Sequence, residues 1–248
     1  MAVKCIFDDQ ELEVIRWDQI PKHVGIIMDG NRRWAEDKGM MGFKGHLFGA
    51  ETLVDIAEAA CELGIETLTC YAFSTENWKR TQIEQEFLFE LMETYLVKQR
   101  DMMIKNGVRL NYIGDISKLP KSCQKIFLET RELTKNGGKL DLVLAVNYGG
   151  RDEIRRAILK MIDDVENGQL KKHEISEEKI LDYLDTRPFK DPEMIIRTSG
   201  EMRMSNFMLY QSSYSEIIVS DTMWPDFKPT NLLQAVLSYQ KRIQRSGR

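Results

Sequence analysis

Short apolar runs of strand length alternate along the chain with segments whose apolar residues recur at helical spacing. The runs predict strands at 24–28, 65–73, 108–113, 140–146, 194–196 and 216–219. The helical spacing predicts helices at about 50–63, 83–105, 119–135, 152–165, 176–185, 208–214 and 231–245. The run at 140–146 is almost continuously apolar, which is typical of a strand covered on both faces.

This alternation continues through the sequence without an internal repeat or a low-complexity linker. It predicts one α/β domain over residues 1–248, with a mainly parallel central β-sheet of about six strands flanked by helices. Residues 1–20 are predicted to form a short helical preamble, and residues 229–248 a C-terminal helix and tail. The pattern does not determine the order of the strands in the sheet.

The composition narrows the class of protein. The 248 residues carry a formal net charge of -4, which argues against a general nucleic-acid binder, because such a protein needs a basic face. No apolar run approaches the roughly 18 residues of a transmembrane helix, and the first residues lack the pattern of a signal peptide. The cysteines are scattered and there are three histidines, so we expect neither a disulfide framework nor a His-rich metal cluster.

Polar clusters follow four of the predicted strands, at 29–34, 73–80, 147–151 and 197–206. Because the carboxyl ends of parallel strands meet at one edge of a sheet, we expect these clusters to converge. They are rich in arginine, whose guanidinium group binds two phosphate oxygens at once. The arginines are Arg33, Arg80, Arg151, Arg197 and Arg203. Pairing of these arginines with acids on the surface is the alternative interpretation.

The segment 23–34 carries the clearest candidate site. Its apolar strand stops at Asp29, and Mg²⁺ in proteins prefers one or two carboxylates together with substrate phosphates. Gly30 allows a ligand to approach the backbone closely, and free N–H groups of the turn can bind the oxygens of an anion. The segment therefore predicts a site for a Mg²⁺-bound phosphate or diphosphate. A surface turn with solvated arginines is the alternative.

Several familiar motifs are missing from the sequence. It has no Gly-x-x-x-x-Gly-Lys-Ser/Thr loop, which argues against a P-loop NTPase, and no Gly-x-Gly-x-x-Gly after a strand, so a dinucleotide site is unsupported. It also has no Gly-x-Ser-x-Gly elbow, which makes Ser74 a poor candidate for a nucleophile.

A series of longer motifs occurs in a fixed order. They are Asp29-Gly-Asn-Arg-Arg-Trp34, Gly45-His46, Tyr71-Ala-Phe-Ser-Thr-Glu-Asn-Trp78 with Arg80, Asn147-Tyr-Gly-Gly-Arg151, Ile196-Arg-Thr-Ser-Gly-Glu-Met-Arg-Met-Ser-Asn-Phe207 and Trp224-Pro-Asp-Phe227. Together they closely resemble the motifs of the cis-prenyltransferases. The resemblance extends from about residue 22 to the C-terminus.

The resemblance implies a transferase that adds isopentenyl diphosphate, in successive cis condensations, to an allylic diphosphate such as farnesyl diphosphate, with Mg²⁺ as cofactor. The implied product is a long-chain polyprenyl diphosphate, undecaprenyl diphosphate, the precursor of the cell-wall lipid carrier. A homodimer is also implied, and an apolar tunnel that the helices at 50–63 and 83–105 would wall. We expect a cytoplasmic enzyme with peripheral contact to the inner face of the membrane for product release.

The resemblance also implies roles for individual residues. Asp29 would be the essential ligand of Mg²⁺ and diphosphate, Asn77 the proton acceptor and Glu216 a second Mg²⁺ ligand. The remaining residues implied to bind substrate are Gly30, Asn31, Arg32, Arg33, Trp34, His46, Ser74, Thr75, Glu76, Trp78, Arg80, Arg197, Arg203, Met204 and Ser205. The segment Arg245-Ser-Gly247 resembles an Arg-x-Gly ending that can complete the site of a partner subunit.

One departure from the family and two rival functions bear on this interpretation. Gly42 stands where bacterial members usually carry an arginine for the allylic diphosphate, and Lys44 is the candidate replacement. A non-catalytic prenyltransferase-like accessory subunit is the main alternative function. A generic phosphate-ester hydrolase is a third hypothesis, but the sequence shows no evident nucleophile for it.

Overall fold

The computed structural model of the chain describes residues 6–242. Its centre is a six-stranded sheet with the strand order β3-β4-β2-β1-β5-β6. The strands are β1 (His23–Ile27), β2 (Thr67–Ser74), β3 (Val108–Ile113), β4 (Leu140–Tyr148), β5 (Met194–Arg197) and β6 (Glu216–Val219). Neighbouring strands all run parallel. The predicted α/β class and parallel sheet are confirmed.

Helices connect the strands. They are α1 (Asp9–Glu13), α2 (Asn31–Asp37), α3 (Gly45–Glu62), α4 (Gln82–Asn106), α5 (Lys121–Thr134), α6 (Gly150–Glu166), α7 (Glu177–Leu181) and α8 (Pro229–Arg242). Short 3₁₀ turns lie between them, including Thr75–Lys79 directly after β2. Within residues 6–242, no helix is both long enough and apolar enough to cross a membrane.

Three helices differ from the sequence-based predictions. The helix predicted at 208–214 is not formed, because the segment consists of bends and turns and φ is positive at Asn206 and Met208. Helix α7 ends at Leu181, several residues earlier than predicted. Helix α2 was not predicted, since its seven residues are too few to show a clear helical period.

Two apolar cores cover the two faces of the sheet. Alternate side chains of one strand enter different cores: Val24 and Ile26 pack in the larger core with residues of α3, α4, α5 and α8, whereas Ile27 packs in the smaller one with Phe207 and Met208. All of β1 is buried. This burial on both faces holds the carboxyl end of β1, where Asp29 follows, in the middle of the sheet edge.

His23 anchors the opposite, amino-terminal edge of the sheet. Its Nδ1–H donates to the carbonyl oxygen of Lys190 at 2.5 Å, and its Nε2 accepts from the hydroxyl group of Thr69 at 2.7 Å. Burial disfavours the charged imidazolium and lowers the pKa of His23 from 6.5 to about 4. The ring is therefore neutral in the folded protein at neutral pH.

We predict that His23 makes the protein less stable in mild acid. Between pH 6.5 and about pH 4 the histidine is protonated in the unfolded protein, whereas His23 stays neutral in the folded protein. The free energy of unfolding therefore falls by up to roughly 3 kcal/mol as the pH drops through this window. Urea unfolding between pH 7 and pH 4 measures this loss. His23→Asn should flatten the pH dependence, whereas His173→Asn, at an exposed histidine, should not. Identical pH profiles for the two variants would contradict the account.

Candidate active site

An ion pair between Asp29 and Arg197 forms the centre of the site. Nη2 of Arg197 donates to Oδ2 of Asp29 at 2.7 Å. Arg197 ends β5, the direct neighbour of β1, and is almost completely buried. Its Nη1 donates to the hydroxyl oxygen of Ser205 at 2.6 Å and to the carbonyl oxygen of Arg203. A buried guanidinium needs such partners because removing its charge from water is costly.

The backbone of Asp29 is fixed from three sides. Its carbonyl oxygen accepts from the hydroxyl group of Thr198 at 2.7 Å, from that of Ser199 at 3.0 Å and from the N–H of Trp224 at 3.0 Å. The carboxylate is thereby held at the rim, where it is partly exposed. Thr198 was not among the predicted site residues, although it lies within the polar cluster at 197–206.

The electrostatics of the rim keep Asp29 ionised. Burial alone would raise the pKa of Asp29, but the hydrogen bond and charge of Arg197, the N–H of Gly30 and the charge of Arg33 together hold this pKa below its usual value. The site therefore offers a charged carboxylate with lone pairs towards the cleft, which is the donor type that Mg²⁺ prefers.

Glu201 links two further arginines. Arg33 Nη2 lies 3.4 Å from Oδ1 of Asp29, and its Nη1 lies 3.4 Å from Oε1 of Glu201. Glu201 also pairs with Arg203. The predicted alternative, pairing of arginines with acids, therefore holds for both Arg33 and Arg203, although their shared partner Glu201 itself belongs to the cluster at 197–206. Arg33 and Arg203 are exposed, so both can reach a ligand.

The segment after β2 forms the facing wall. The N–H of Ser74 donates to Oδ1 of Asn77 at 3.0 Å, which closes the turn. Arg80 donates to Nε2 of His46 at 3.2 Å. Burial and the charge of Arg80 lower the pKa of His46 from 6.5 to about 3, so the ring is neutral and accepts this hydrogen bond. The indole N–H of Trp78 donates to Oδ1 of Asn147 at 2.7 Å.

These segments enclose a polar cleft of about 530 Å³. It is bounded by the residues that follow β1, β2, β4 and β5, which confirms that the four polar clusters converge. The residues that line it include Asp29, Tyr71, Ser74, Glu76, Asn77, Arg80, Arg151, Ser205 and Asn206. Tyr71, Arg151 and Asn206 were not among the predicted substrate-binding residues. Arg151 and Asn206 lie within predicted polar clusters, whereas Tyr71 precedes the cluster at 73–80.

An apolar pocket adjoins the cleft. It lies between α3, α4 and the sheet and encloses about 130 Å³. Met28, Asn31 and His46 line its end at the rim, whereas Met103 and Val108 line the end near the opposite edge of the sheet. Leu, Met and Val side chains of the two helices form most of its wall. The pocket therefore runs from the charged rim into the core.

Some predicted site residues lie elsewhere. Glu216 begins β6 beside Met194, at the amino-terminal edge of the sheet, and its carboxylate pairs with Arg242 at 3.2 Å. The two ends of a parallel strand lie at opposite edges, so within one chain Glu216 does not join Asp29 in a metal site. Trp34 is buried and packs on Phe48. The segment 245–247 lies outside the described residues.

The space beside Gly42, where bacterial members of the family usually carry an arginine, is filled by a side chain from α2. A Cβ on Gly42 would lie 2.6 Å from Cγ of Arg32, so the side chain of Arg32 fills the space beside Gly42. Arg32 itself pairs with Glu36 at 2.9 Å and with Glu84 at 3.1 Å. Lys44 is exposed. The guanidinium beside Gly42 therefore comes from α2.

The donor set around Asp29 suits a metal that shares its ligands with a substrate. No group of three or more histidine, cysteine or carboxylate side chains in residues 6–242 could hold a metal alone. Mg²⁺ commonly relies on one or two carboxylates, with substrate phosphates and water completing its shell. Asp29 flanked by arginines fits that arrangement.

Comparison with known proteins assigns the chain to a family. A family model described as putative undecaprenyl diphosphate synthase matches residues 27–247, and the chain belongs to this family of cis-prenyltransferases. The isoprenyl transferase of Clostridium tetani is 47% identical over 230 residues, 93% of this chain and 90% of that protein. The ditrans,polycis-undecaprenyl-diphosphate synthase ((2E,6E)-farnesyl-diphosphate specific) of Micrococcus luteus is 45% identical over 229 residues, 92% of each.

Solved structures agree with this assignment. Lavandulyl diphosphate synthase from Lavandula x intermedia, in complex with dimethylallyl diphosphate, superposes with a TM-score of 0.87 at 34% identity, covering 90% of this chain and 96% of that one. A probable undecaprenyl diphosphate synthase from Campylobacter jejuni gives a TM-score of 0.76 at 33% identity, covering 92% and 99%. The chain is thus a prenyl-transferring enzyme by fold and sequence.

The turn at Gly30 provides a test of the site geometry. Gly30 has φ of +101°, and a Cβ there would lie 2.0 Å from the hydroxyl oxygen of Ser199. We predict that Gly30→Ala loses about 1–3 kcal/mol of stability to backbone strain, loses more to the clash, and no longer binds inorganic pyrophosphate with Mg²⁺. Urea unfolding and calorimetric titration measure the two effects.

Gly39 is the matched control for this prediction. Its φ is +71°, but a Cβ there would meet nothing within 4 Å. Gly39→Ala should therefore show the strain alone and bind pyrophosphate as the unmodified protein does. Equal losses in the two variants would mean that the close contact at Gly30 does not shape the site.

Proposed function

We propose that this protein catalyses Mg²⁺-dependent, successive cis condensations of isopentenyl diphosphate with farnesyl diphosphate, and that it releases undecaprenyl diphosphate. The observation that carries the proposal is the position of the Asp29–Arg197 pair. The pair lies in a polar cleft with several arginines, next to the mouth of an apolar pocket. An allylic diphosphate needs both environments, one for its head group and one for its hydrocarbon.

Arginine carries the electrostatic part of the proposed mechanism. Departure of diphosphate from an allylic carbon leaves a delocalised cation and a highly charged leaving group. Arg33, next to the Gly30 turn, would hold the allylic diphosphate, while Arg197, Arg203 and Ser205 would hold isopentenyl diphosphate. Preorganised charges aimed at the developing anion stabilise the transition state without reorganisation. Mg²⁺, held by Asp29 and substrate oxygens, would supply further neutralisation of the leaving group.

The facing wall would orient the attacking double bond. Carbon–carbon bond formation needs mainly positioning, because the alkene is itself the nucleophile. After the bond forms, a proton leaves the new junction. Asn77, whose Oδ1 already accepts from Ser74 at 3.0 Å, is a weak base. We therefore propose that Asn77 orients the reacting carbon and that a diphosphate oxygen assists in taking the proton.

The apolar pocket would receive the growing chain. Its wall of methionine and leucine side chains between α3 and α4 is suited to a flexible hydrocarbon, because methionine adapts its shape. We propose that this pocket is the start of the product tunnel. A long polyprenyl chain partitions into lipid, so we also propose a cytoplasmic enzyme that contacts the inner face of the membrane to release its product.

The rival functions lack support at the site. A non-catalytic accessory subunit has no need of an ionised aspartate and converging arginines, yet Asp29, Arg33, Arg80, Arg197 and Arg203 are all at the rim. A phosphate-ester hydrolase needs an activated nucleophile. The hydroxyl oxygen of Ser205 accepts from Arg197, and within residues 6–242 its hydroxyl group donates to no general base.

The direct test is an assay of product formation. Purified protein is incubated with labelled isopentenyl diphosphate, farnesyl diphosphate and Mg²⁺, and the lipid product is sized by chromatography. The proposal expects a ladder that ends at a long polyprenyl diphosphate, and no product after chelation of the metal. Failure to form any extended product with either farnesyl diphosphate or a shorter allylic diphosphate would contradict it.

Asp29→Asn tests the proposed metal ligand. The amide keeps the size of the side chain and can still accept from Arg197, but it carries no charge for Mg²⁺. We predict a loss of about 10²- to 10³-fold in kcat, the range typical of removing one electrostatic contact to a transition state. Asp37→Asn, at an exposed aspartate of α2, is the control and should keep full activity. Near-normal turnover by the Asp29 variant would exclude the metal role.

We also propose that the protein forms a homodimer through α6. Ile158 and Ile162 are about half exposed there and line an apolar groove with Ile175 and Tyr210. Large exposed apolar patches commonly mark interfaces between proteins. A second copy that covers this groove would remove the patch from water.

The proposed dimer predicts a change of mass on substitution. Ile158→Glu with Ile162→Glu should convert the dimer to a monomer, because it places charges in an apolar contact. Light scattering after size-exclusion chromatography measures the change. Ile104→Glu, on α4 with 51% exposure against 50% for Ile158, is the matched control and should remain dimeric. Dimers of unchanged stability in all variants would place the interface elsewhere.

A further inference from the structure

One asparagine joins three of the four polar segments at the rim. The backbone carbonyl oxygen of Asn206 accepts from the N–H of Gly150 at 2.7 Å, and its side-chain Oδ1 accepts from the N–H of Arg151 at 2.9 Å. Its Nδ2 donates to Oε1 of Glu76 at 2.9 Å. Asn206 itself belongs to the segment that follows β5. It therefore ties together the segments after β2, β4 and β5.

The backbone at this point is held in an unusual conformation. Ser205 and Asn206 have φ of +48° and +65°, which is uncommon for residues other than glycine. Two successive left-handed residues reverse the chain, so adjacent side chains reach different partners. The hydroxyl group of Ser205 contacts Arg197, while the amide of Asn206 contacts Glu76. Such strain persists only where its surroundings determine it, and it concentrates at functional sites.

The segments after β2, β4 and β5 are closely packed against one another. A Cβ on Gly149 would lie 2.5 Å from the hydroxyl oxygen of Thr75 and 2.6 Å from Nδ2 of Asn206. Only a glycine allows the turn after β4 to approach both other segments this closely. The contact is therefore a close three-way junction, and a displacement of one segment must be transmitted to the others.

The charge state of Glu76 suits this contact. Burial raises the pKa of Glu76, but the hydrogen bond from Asn206, followed by those from its own backbone, Ser74 and Thr75, holds the pKa below its usual value. A charged carboxylate makes a stronger hydrogen bond with the amide than a neutral one would. The contact therefore fixes the 3₁₀ turn 75–79 that carries Asn77 and leads to Arg80.

We propose that Asn206 is a positioning residue that sets the alignment of the two diphosphate substrates. It does so by holding Glu76 and the turn 75–79 at a fixed distance from the arginine segment 197–205. The proposal rests on the proposed function, which places substrates on both segments. Asn206 need not contact the reacting atoms, since it acts through the segments that do.

The test combines kinetics with a readout that needs no turnover. Asn206→Ala removes all side-chain contacts, and Asn206→Asp keeps the acceptor for Arg151 but loses the donor to Glu76. Both variants should lower kcat by about 100-fold, as expected for a misplacement near 1 Å, while either KM changes far less. Hydrogen exchange of the 74–80 amides, measured by mass spectrometry, should speed up in both variants.

Asn111→Ala is the matched control. Asn111 on β3 also donates to a carboxylate at 2.9 Å, that of Asp141, but it lies away from the rim. It should leave kcat and the exchange of 74–80 unchanged. If Asn206→Ala folds poorly, Gly149→Ala disturbs the same junction from the opposite side and should give the same two effects.

The outcomes separate this inference from the proposed function. Unchanged exchange of 74–80 in both Asn206 variants would overturn the inference whether or not the enzyme is active. Normal kcat for Asn206→Asp would overturn it too, because the contact with Glu76 would then be dispensable. The unmodified protein could instead prove inactive while the Asn206 variants still show faster hydrogen exchange at residues 74–80. That result would contradict the proposed function but support the role of Asn206 in holding the three segments together.

Discussion

The buried guanidinium of Arg197 constrains the whole site. A charge at this depth is tolerated only with a partner, and Asp29 is the carboxylate that lies within hydrogen-bond distance, at 2.7 Å. The pair is asymmetric, because Arg197 is covered and Asp29 is partly exposed. Asp29 therefore presents a fixed negative charge to the cleft, while Arg197 holds the segment that contains Arg203 and Ser205. Removing Asp29 would leave the buried charge of Arg197 without its carboxylate partner, whereas Asp29 without Arg197 would keep only the longer contact with Arg33.

Parallel strands explain why distant residues meet at this pair. Asp29 and Arg197 follow or end neighbouring strands whose register is fixed by the pairing of Ile27 with Arg197. The segments after β2 and β4 arrive at the same edge, on the far side of β1. Each segment is then fixed by hydrogen bonds to its neighbours, such as Trp78 to Asn147 and Asn206 to Glu76. A rigid rim of this kind can hold two anionic head groups at a set distance.

Much of this arrangement could be predicted from the sequence. Apolar runs predicted the six strands, and the signal is strongest where both faces are buried, as in β1, β4 and β5. The polar residues at the strand ends indicated where Asp29 and the arginines would meet. The exceptions have physical causes. Positive φ at Met208 replaced a predicted helix by turns, and this depends on tertiary contacts. Glu216 was implied by resemblance, but its position at the start of β6 takes it to the other edge. Contacts such as that of Arg32 with Gly42 join segments whose proximity no local pattern reveals.

The central claim is that Asp29, paired with Arg197, organises a diphosphate site at the mouth of the apolar pocket. A crystal structure with Mg²⁺, isopentenyl diphosphate and an unreactive thio analogue of farnesyl diphosphate tests it most directly. The account predicts a Mg²⁺ ion on the carboxylate of Asp29, diphosphate oxygens on Arg197 and Arg203, and the farnesyl chain between α3 and α4. A metal bound away from Asp29, or a hydrocarbon chain that avoids this pocket, would contradict it.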